Sequence, residues 1–125
     1  MPGAITEPPT EPIILSVQQL DNTVHIQLRV QPELCWFVGH FPEQPLLPGV
    51  VQTTWAIEFG RRYLPLPAQF RYLNNMKFMR FILPDTQLEL RLQYVPAKSE
   101  LHFEYRDGSA LCASGRIGFG AESGS

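Results

Sequence analysis

The chain is poor in cysteine, in charge and in long apolar runs. Only two cysteines occur among its 125 residues, Cys35 and Cys112, far apart and with no CxxC. Disulfide scaffolds and cysteine-rich metal modules are therefore not expected, and no ladder of metal-ligand spacings suggests another metal site. Charged residues make up 18% of the chain, and the formal net charge is -2. That balance argues against non-specific binding to nucleic acid or to an anionic membrane surface. No stretch approaches the roughly 18 apolar residues that span a bilayer. The opening MPGAITEPPTEP has neither a basic start nor an apolar run, so no secretory signal is expected, and a cytoplasmic, reduced setting is the default. Hydrophobic residues at 44% are enough for a globular core.

Proline is what the chain has in excess. Its twelve residues are about twice the usual share of ~5%. Four of them, Pro2, Pro8, Pro9 and Pro12, place a proline-rich tail at residues 1–12, because proline interrupts both ladders and helices. Residues 120–125 are read as a short flexible tail, leaving a single domain over 13–119.

Alternation dominates that domain. Val24, Ile26, Leu28 and Val30 fall on one face of a strand, with His25, Gln27 and Arg29 on the other. The same period of two runs through Leu88–Tyr94, Leu101–Tyr105 and Leu111–Phe119. Ile13–Gln19 is a further short strand, and Phe70–Phe81 reads as one long strand. Asp107-Gly108 predicts a type I′ hairpin turn. His25 and His102 fall on polar strand faces and are expected to be solvated. Only Val50–Tyr63 breaks the strand pattern. It follows Pro48-Gly49, lacks proline, and is apolar around most of the helical wheel, which predicts a buried helix. Its polar stripe is Thr54, Glu58 and Arg61, with Glu58 a natural i,i+3 or i,i+4 partner of Arg61 or Arg62. Two strands, one helix and four strands make an α+β architecture. The economical packing is a curved antiparallel sheet of about six strands wrapped round one long buried helix, the hotdog fold.

The chemistry concentrates in Gly39-His40-Phe41-Pro42-Glu43-Gln44-Pro45-Leu46-Leu47-Pro48-Gly49-Val50. Three prolines spaced by three stiffen this loop, which carries His40 and ends at the helix N-terminus. The N–H groups of Gly49, Val50 and Val51 have no partner within the helix, and such donors suit a developing oxyanion. An imidazole and an oxyanion site are the minimal equipment for removing a proton α to a carbonyl. Cys35 near His40 offers a weaker Cys–His reading, with only Glu33 close by as a carboxylate.

These residues resemble a known family. GHFPEQPLLPGVVQ is similar to the GHFPxxPxxPGV signature of the β-hydroxyacyl-acyl carrier protein dehydratases, the FabA/FabZ group of hotdog enzymes. The VVQ…W character of the helix is closer to the ApeI-like branch found in aryl polyene clusters. The resemblance implies that His40 removes the C2 proton of a 3-hydroxyacyl thioester, carried by acyl carrier protein or coenzyme A. It implies that the Gly49 amide, with Val50 beside it, holds the thioester oxygen, and that no cofactor or metal is needed. It implies a homodimer whose sites borrow residues from both subunits. The family's helix carboxylate, fourteen residues after the histidine, falls here on Thr54, which cannot act as a carboxylic acid. Three outcomes follow: Thr54 positions a water while His40 returns its proton; Glu58, one turn on, supplies the acid; or the chain is a non-catalytic acyl-thioester binding subunit. A hotdog thioesterase is a weaker alternative, because that group generally lacks the HFPxxPxxPG loop.

Overall fold

A computed structural model describes residues 9–35, 37 and 46–120. Six strands and one helix follow in the order β1 (Ile13–Leu20), β2 (Thr23–Val30), α1 (Gly49–Tyr63), β3 (Gln69–Phe78), β4 (Thr86–Val95), β5 (Glu100–Asp107) and β6 (Ala110–Gly120). All six strands form one antiparallel sheet in the order β1-β2-β4-β5-β6-β3. The α+β hotdog arrangement read from the sequence is the observed one.

The alternation determines which face is buried. Val24, Ile26, Leu28 and Val30 are completely buried, and Leu88, Leu90 and Leu92 pair into the same layer from β4. Leu101, Phe103 and Tyr105 extend it from β5, and Ala113, Ile117 and Phe119 from β6. α1 lies on this face, burying Val51, Gln52, Thr53, Trp55, Ala56, Phe59 and Gly60. The helix is more one-sided than its composition suggested. Val50 is 72% exposed and joins Thr54, Glu58, Arg61 and Arg62 on the open face. The C-terminal turn of α1 is closed by the Leu64 amide on the Gly60 carbonyl, and Gly60 gives close approach to Leu101.

Several boundaries differ from expectation. β3 stops at Phe78, because the amides of Met79 and Arg80 both turn onto the Cys112 carbonyl and leave the ladder. β6 runs on to Gly120, which pairs with Gln69. The hairpin after β5 pairs Asp107 with Ala110 and puts Gly108 at positive φ in the first central position. That is the type II′ pattern rather than type I′, since Ser109 is not at positive φ.

The end of the expected N-terminal tail is tied down. The Pro9 carbonyl accepts from the Cys35 amide, the Thr10 carbonyl from the Trp55 indole at 3.0 Å, and the Glu11 carbonyl from Gln31. A proline-rich segment has few donors of its own, but its carbonyls remain free to accept. This strap crosses the exposed side of α1 beside Thr54 and Glu58.

Candidate active site

The helix entry is the structural centre of the loop motif. Pro48 occupies the N-cap position in extended conformation, with φ -63° and ψ 147°, and no side chain caps the turn. Proline suits an extended residue here, but it cannot offer the hydroxyl or carboxylate that usually satisfies the first amides. The amides of Val51 and Gln52 instead share the Pro48 carbonyl, each at 3.1 Å. Val51 is therefore not available to a ligand, contrary to the sequence reading. The amides of Gly49 and Val50 have no acceptor among the described residues.

Two bonds hold the chain just before this point. The Leu47 amide donates to the Ile82 carbonyl at 2.9 Å, and the Gln52 side-chain Nε2 donates to the Leu47 carbonyl at 3.1 Å. One turn further in, the buried Tyr105 hydroxyl donates to the Gln52 backbone carbonyl at 2.6 Å. Burial of the Tyr105 phenol pushes its pKa far above the usual value, so it stays a donor. Gln52 is 3% exposed, and its Oε1 has no partner among the described residues.

The Phe78 ring covers Gly49. A Cβ at Gly49 would lie 3.1 Å from two carbons of that ring, so any larger residue has to displace it. Leu47, Gly49, Gln52, Phe78, Met79 and Phe81 line a cavity of about 540 Å³. It combines a largely apolar wall, which Arg80 also joins, with the Gly49 amide, unpaired among the described residues, and can seat an acyl chain and hold a carbonyl oxygen as it gains charge.

Thr54 and Glu58 lie elsewhere. With Val50, Val51, Trp55 and Glu11 they line a separate cavity of about 340 Å³ on the open side of α1. The Thr54 hydroxyl donates to the Val50 carbonyl at 2.9 Å. Its proton is committed, and its oxygen is left as an acceptor. Glu58 makes neither of the ion pairs foreseen for it. Arg61 donates to the Pro67 and Ala68 carbonyls, and Arg62 lies 3.5 Å from Glu11 and over the Phe59 ring. His40 lies outside the described residues.

Gln52 is the residue that the sequence reading missed. The available signal was a lone amide on the otherwise apolar face of the helix, three residues after Gly49. Glu11 was missed because it sits in what read as tail. His102 is not simply solvated: its Nε2 lies 3.0 Å from Glu100, whose other oxygen accepts from Tyr72 at 2.6 Å.

Known proteins of the same build extend these observations. The family model described as ApeI-like, ApeI dehydratase, matches residues 16–116. The dehydratase heterocomplex ApeI:P from Xenorhabdus doucetiae superposes with a TM-score of 0.82 at 33% identity, over 87% of this chain and 97% of that one. An uncharacterized protein from Erwinia carotovora subsp. atroseptica gives 0.80 at 35% identity, over 90% of this chain and 98% of that one. A 3-hydroxyacyl-[acyl-carrier-protein] dehydratase FabZ from Tolumonas auensis is 35% identical over 69 residues, 48% of this chain and 46% of that protein. The chain thus spans about half the length of the curated relatives it matches. With the family model covering β1 to β6 and the helix motif at its centre, the chain belongs to the ApeI-like dehydratase family.

Proposed function

We propose that the protein dehydrates 3-hydroxyacyl thioesters, carried on phosphopantetheine of acyl carrier protein or coenzyme A, to trans-2-enoyl thioesters. The observation that carries the reading is the Gly49 amide, without an acceptor among the described residues, beside a largely apolar cavity and directly after the His40 loop in sequence. In this reading the thioester oxygen sits at the Gly49 amide. His40 takes the C2 proton, and the electron pair moves into the thioester as enolate. The enolate then re-forms the carbonyl, closes the C2=C3 double bond and expels the C3 hydroxyl. Protonated His40 returns the proton to that hydroxyl, which leaves as water. Thr54 accepts a hydrogen bond from the departing group, the one role its committed proton leaves open.

Within one chain Gly49 and Thr54 line different cavities, so the reading requires a second subunit. The edge strand β3 supports one. Among the described residues it pairs only with β6, and Phe70, Leu73 and Phe78 on it, with Phe81 beyond it, are each about half exposed or more. An exposed apolar edge strand is ordinarily covered. In this reading a homodimer joined at β3 shares each site between the His40 loop of one protomer and Thr54 of its partner, in the cytoplasm where such carriers occur. The Xenorhabdus doucetiae relative is a heterocomplex. A different hotdog subunit bearing the missing carboxylate is therefore the competing partner, and native mass spectrometry of the purified chain separates the two.

A second reading rests on one observation: Thr54 stands where a carboxylic acid is expected. It makes the chain a non-catalytic acyl-thioester binding subunit. Purified protein is incubated with crotonyl and 3-hydroxybutyryl thioesters while enoyl absorbance and free thiol are followed. Enoyl interconversion that disappears in His40→Ala supports the dehydratase. Binding without turnover supports the subunit. Thiol release without enoyl change marks a thioesterase and overturns both.

A further inference from the structure

A polar cavity of about 300 Å³ opens on the outer face of the sheet, opposite the layer that packs on α1. The strand registers explain its composition. His102 of β5 pairs with Arg116 of β6, and Arg116 pairs with Asn74 of β3. Two residues along, Glu104 and Lys77 flank Ser114 from either side. Side chains return to the same face every second residue, so these rows are stacked about 7 Å apart. Between Asn74 and Lys77 the β3–β6 register slips, and Asn75 takes φ 53°. A bulge of this kind re-aims a side chain. Asn75 joins Lys77, His102, Ser114 and Arg116 in lining the cavity.

The charges there do not cancel. The two nearby carboxylates are already engaged. Glu104, which also lines the cavity, lies 3.0 Å from Arg106, and the buried Glu100 is held between Tyr72 and His102. Neither Lys77 nor Arg116 has an ion-pair partner among the described residues. Two cations without ion-pair partners among the described residues, with an amide, a hydroxyl and a ring nitrogen beside them, outnumber the one carboxylate in the lining, Glu104, which Arg106 already engages.

We propose that this outer-face cavity binds a phosphate-class oxyanion, with Arg116 and Lys77 supplying the charge and Asn75 and Ser114 the neutral donors. The site is separate from the helix entry and does not depend on the chemistry assigned there. The test is titration of the isotope-labelled full chain with inorganic phosphate at low ionic strength, followed by amide shifts. The expected result is saturable binding with shifts confined to residues around Asn75, Ser114 and Arg116. Arg116→Gln and Lys77→Gln each weaken binding about three- to fivefold, the effect of one exposed charge contact. Lys98→Gln, which removes a cation on the β4–β5 turn outside the cavity, leaves it unchanged. Non-saturating shifts, or equal weakening by Lys98→Gln, overturn the proposal. Coenzyme A and its analogue lacking the 3′-phosphate identify the source. Arg116→Gln weakening only the former marks a carrier's phosphomonoester, and indifference of both, with phosphate binding still weakened, marks free phosphate; either result supports the oxyanion site.

Discussion

Replacing Gln52 with methionine separates stability from turnover. Gln52 is almost fully buried, donates to the Leu47 carbonyl, and carries a side-chain oxygen without a partner among the described residues. Methionine fills nearly the same volume, so no large cavity opens. Losing the bond to Leu47 removes about 1 kcal/mol, and leaving that carbonyl unpaired costs about 1–3 kcal/mol. Removing the unpaired Oε1 returns a similar amount, about 1–3 kcal/mol. The net change is about 1 kcal/mol in the destabilising direction, a fall in Tm of about 3–6 °C for a chain of this size. Turnover responds differently, because the lost bond is the one that ties Leu47 to the helix two residues before Gly49. A catalytic donor displaced by about 1 Å costs up to about 100-fold, and a loosened Gly49 amide should lower kcat by about 10- to 100-fold. Enoyl absorbance with crotonyl thioester reads the rate, and thermal denaturation reads the stability. A variant with wild-type kcat refutes the positioning role. A variant that loses more than about 3 kcal/mol shows that the energetic account of the unpaired oxygen is wrong.

Three further outcomes follow from other parts of the chain. Thr54→Glu restores a carboxylate to an exposed helix position and should raise dehydration at least about tenfold, since a positioned acid contributes about 10²–10⁴; steady-state rates check it, and unchanged activity in a folded variant refutes it. Gly118→Ala places a Cβ inside the Tyr72 ring, which cannot move without leaving Glu100. A loss of about 2–3 kcal/mol in urea unfolding is expected from this overpacking. Tyr72→Phe tests the same cluster by pH. Hydrogen bonds from Tyr72 and then His102 hold the Glu100 carboxyl below its usual range. A depressed carboxylate pKa stabilises the fold above the unfolded value near 4.5 and is lost as pH falls through the folded value. The variant should therefore be less stable than wild type near neutrality, and the two unfolding curves should converge in acid; a gap that stays constant with pH refutes the linkage.

Most of the sheet was legible because period-two alternation and one-sided burial are the same physical fact. Every apolar residue of Val24–Val30 is buried, and its polar neighbours are not. Turn type and strand ends were less legible, since they depend on register. Gly108 takes a different turn position once Asp107 pairs with Ala110, and β3 ends where two amides converge on Cys112, a residue more than thirty positions away. The helix looked buried all round because composition cannot report which side is left open. Val50 is apolar and exposed, and among the described residues Thr10 and Glu11 line the cavity on the face it shares with Thr54.

That open face also explains why the site was half legible. The loop motif points to Gly49, the first helical residue after Pro48, whose amide has no acceptor among the described residues. It could not identify Gln52, whose part depends on where the Leu47 carbonyl lies in space. Nor could it show that Thr54 and Gly49 face different cavities, though residues five apart on a helix differ by about 140° in direction at 100° per residue. In the proposed reading, one reaction centre built from both therefore takes a second chain. If Thr54 does contribute, a variant pair provides the proof. His40→Ala and Thr54→Glu chains, each purified alone, form in a homodimer two sites with the same single defect or gain. Mixed and allowed to exchange, they form hybrids in which one of the two sites combines a native His40 loop with the partner's wild-type Thr54, and the other combines an alanine at 40 with the glutamate. Activity in the mixture should then fall below the average of the two parents, because the added glutamate is stranded opposite alanine. Activity equal to that average refutes a site shared across the interface.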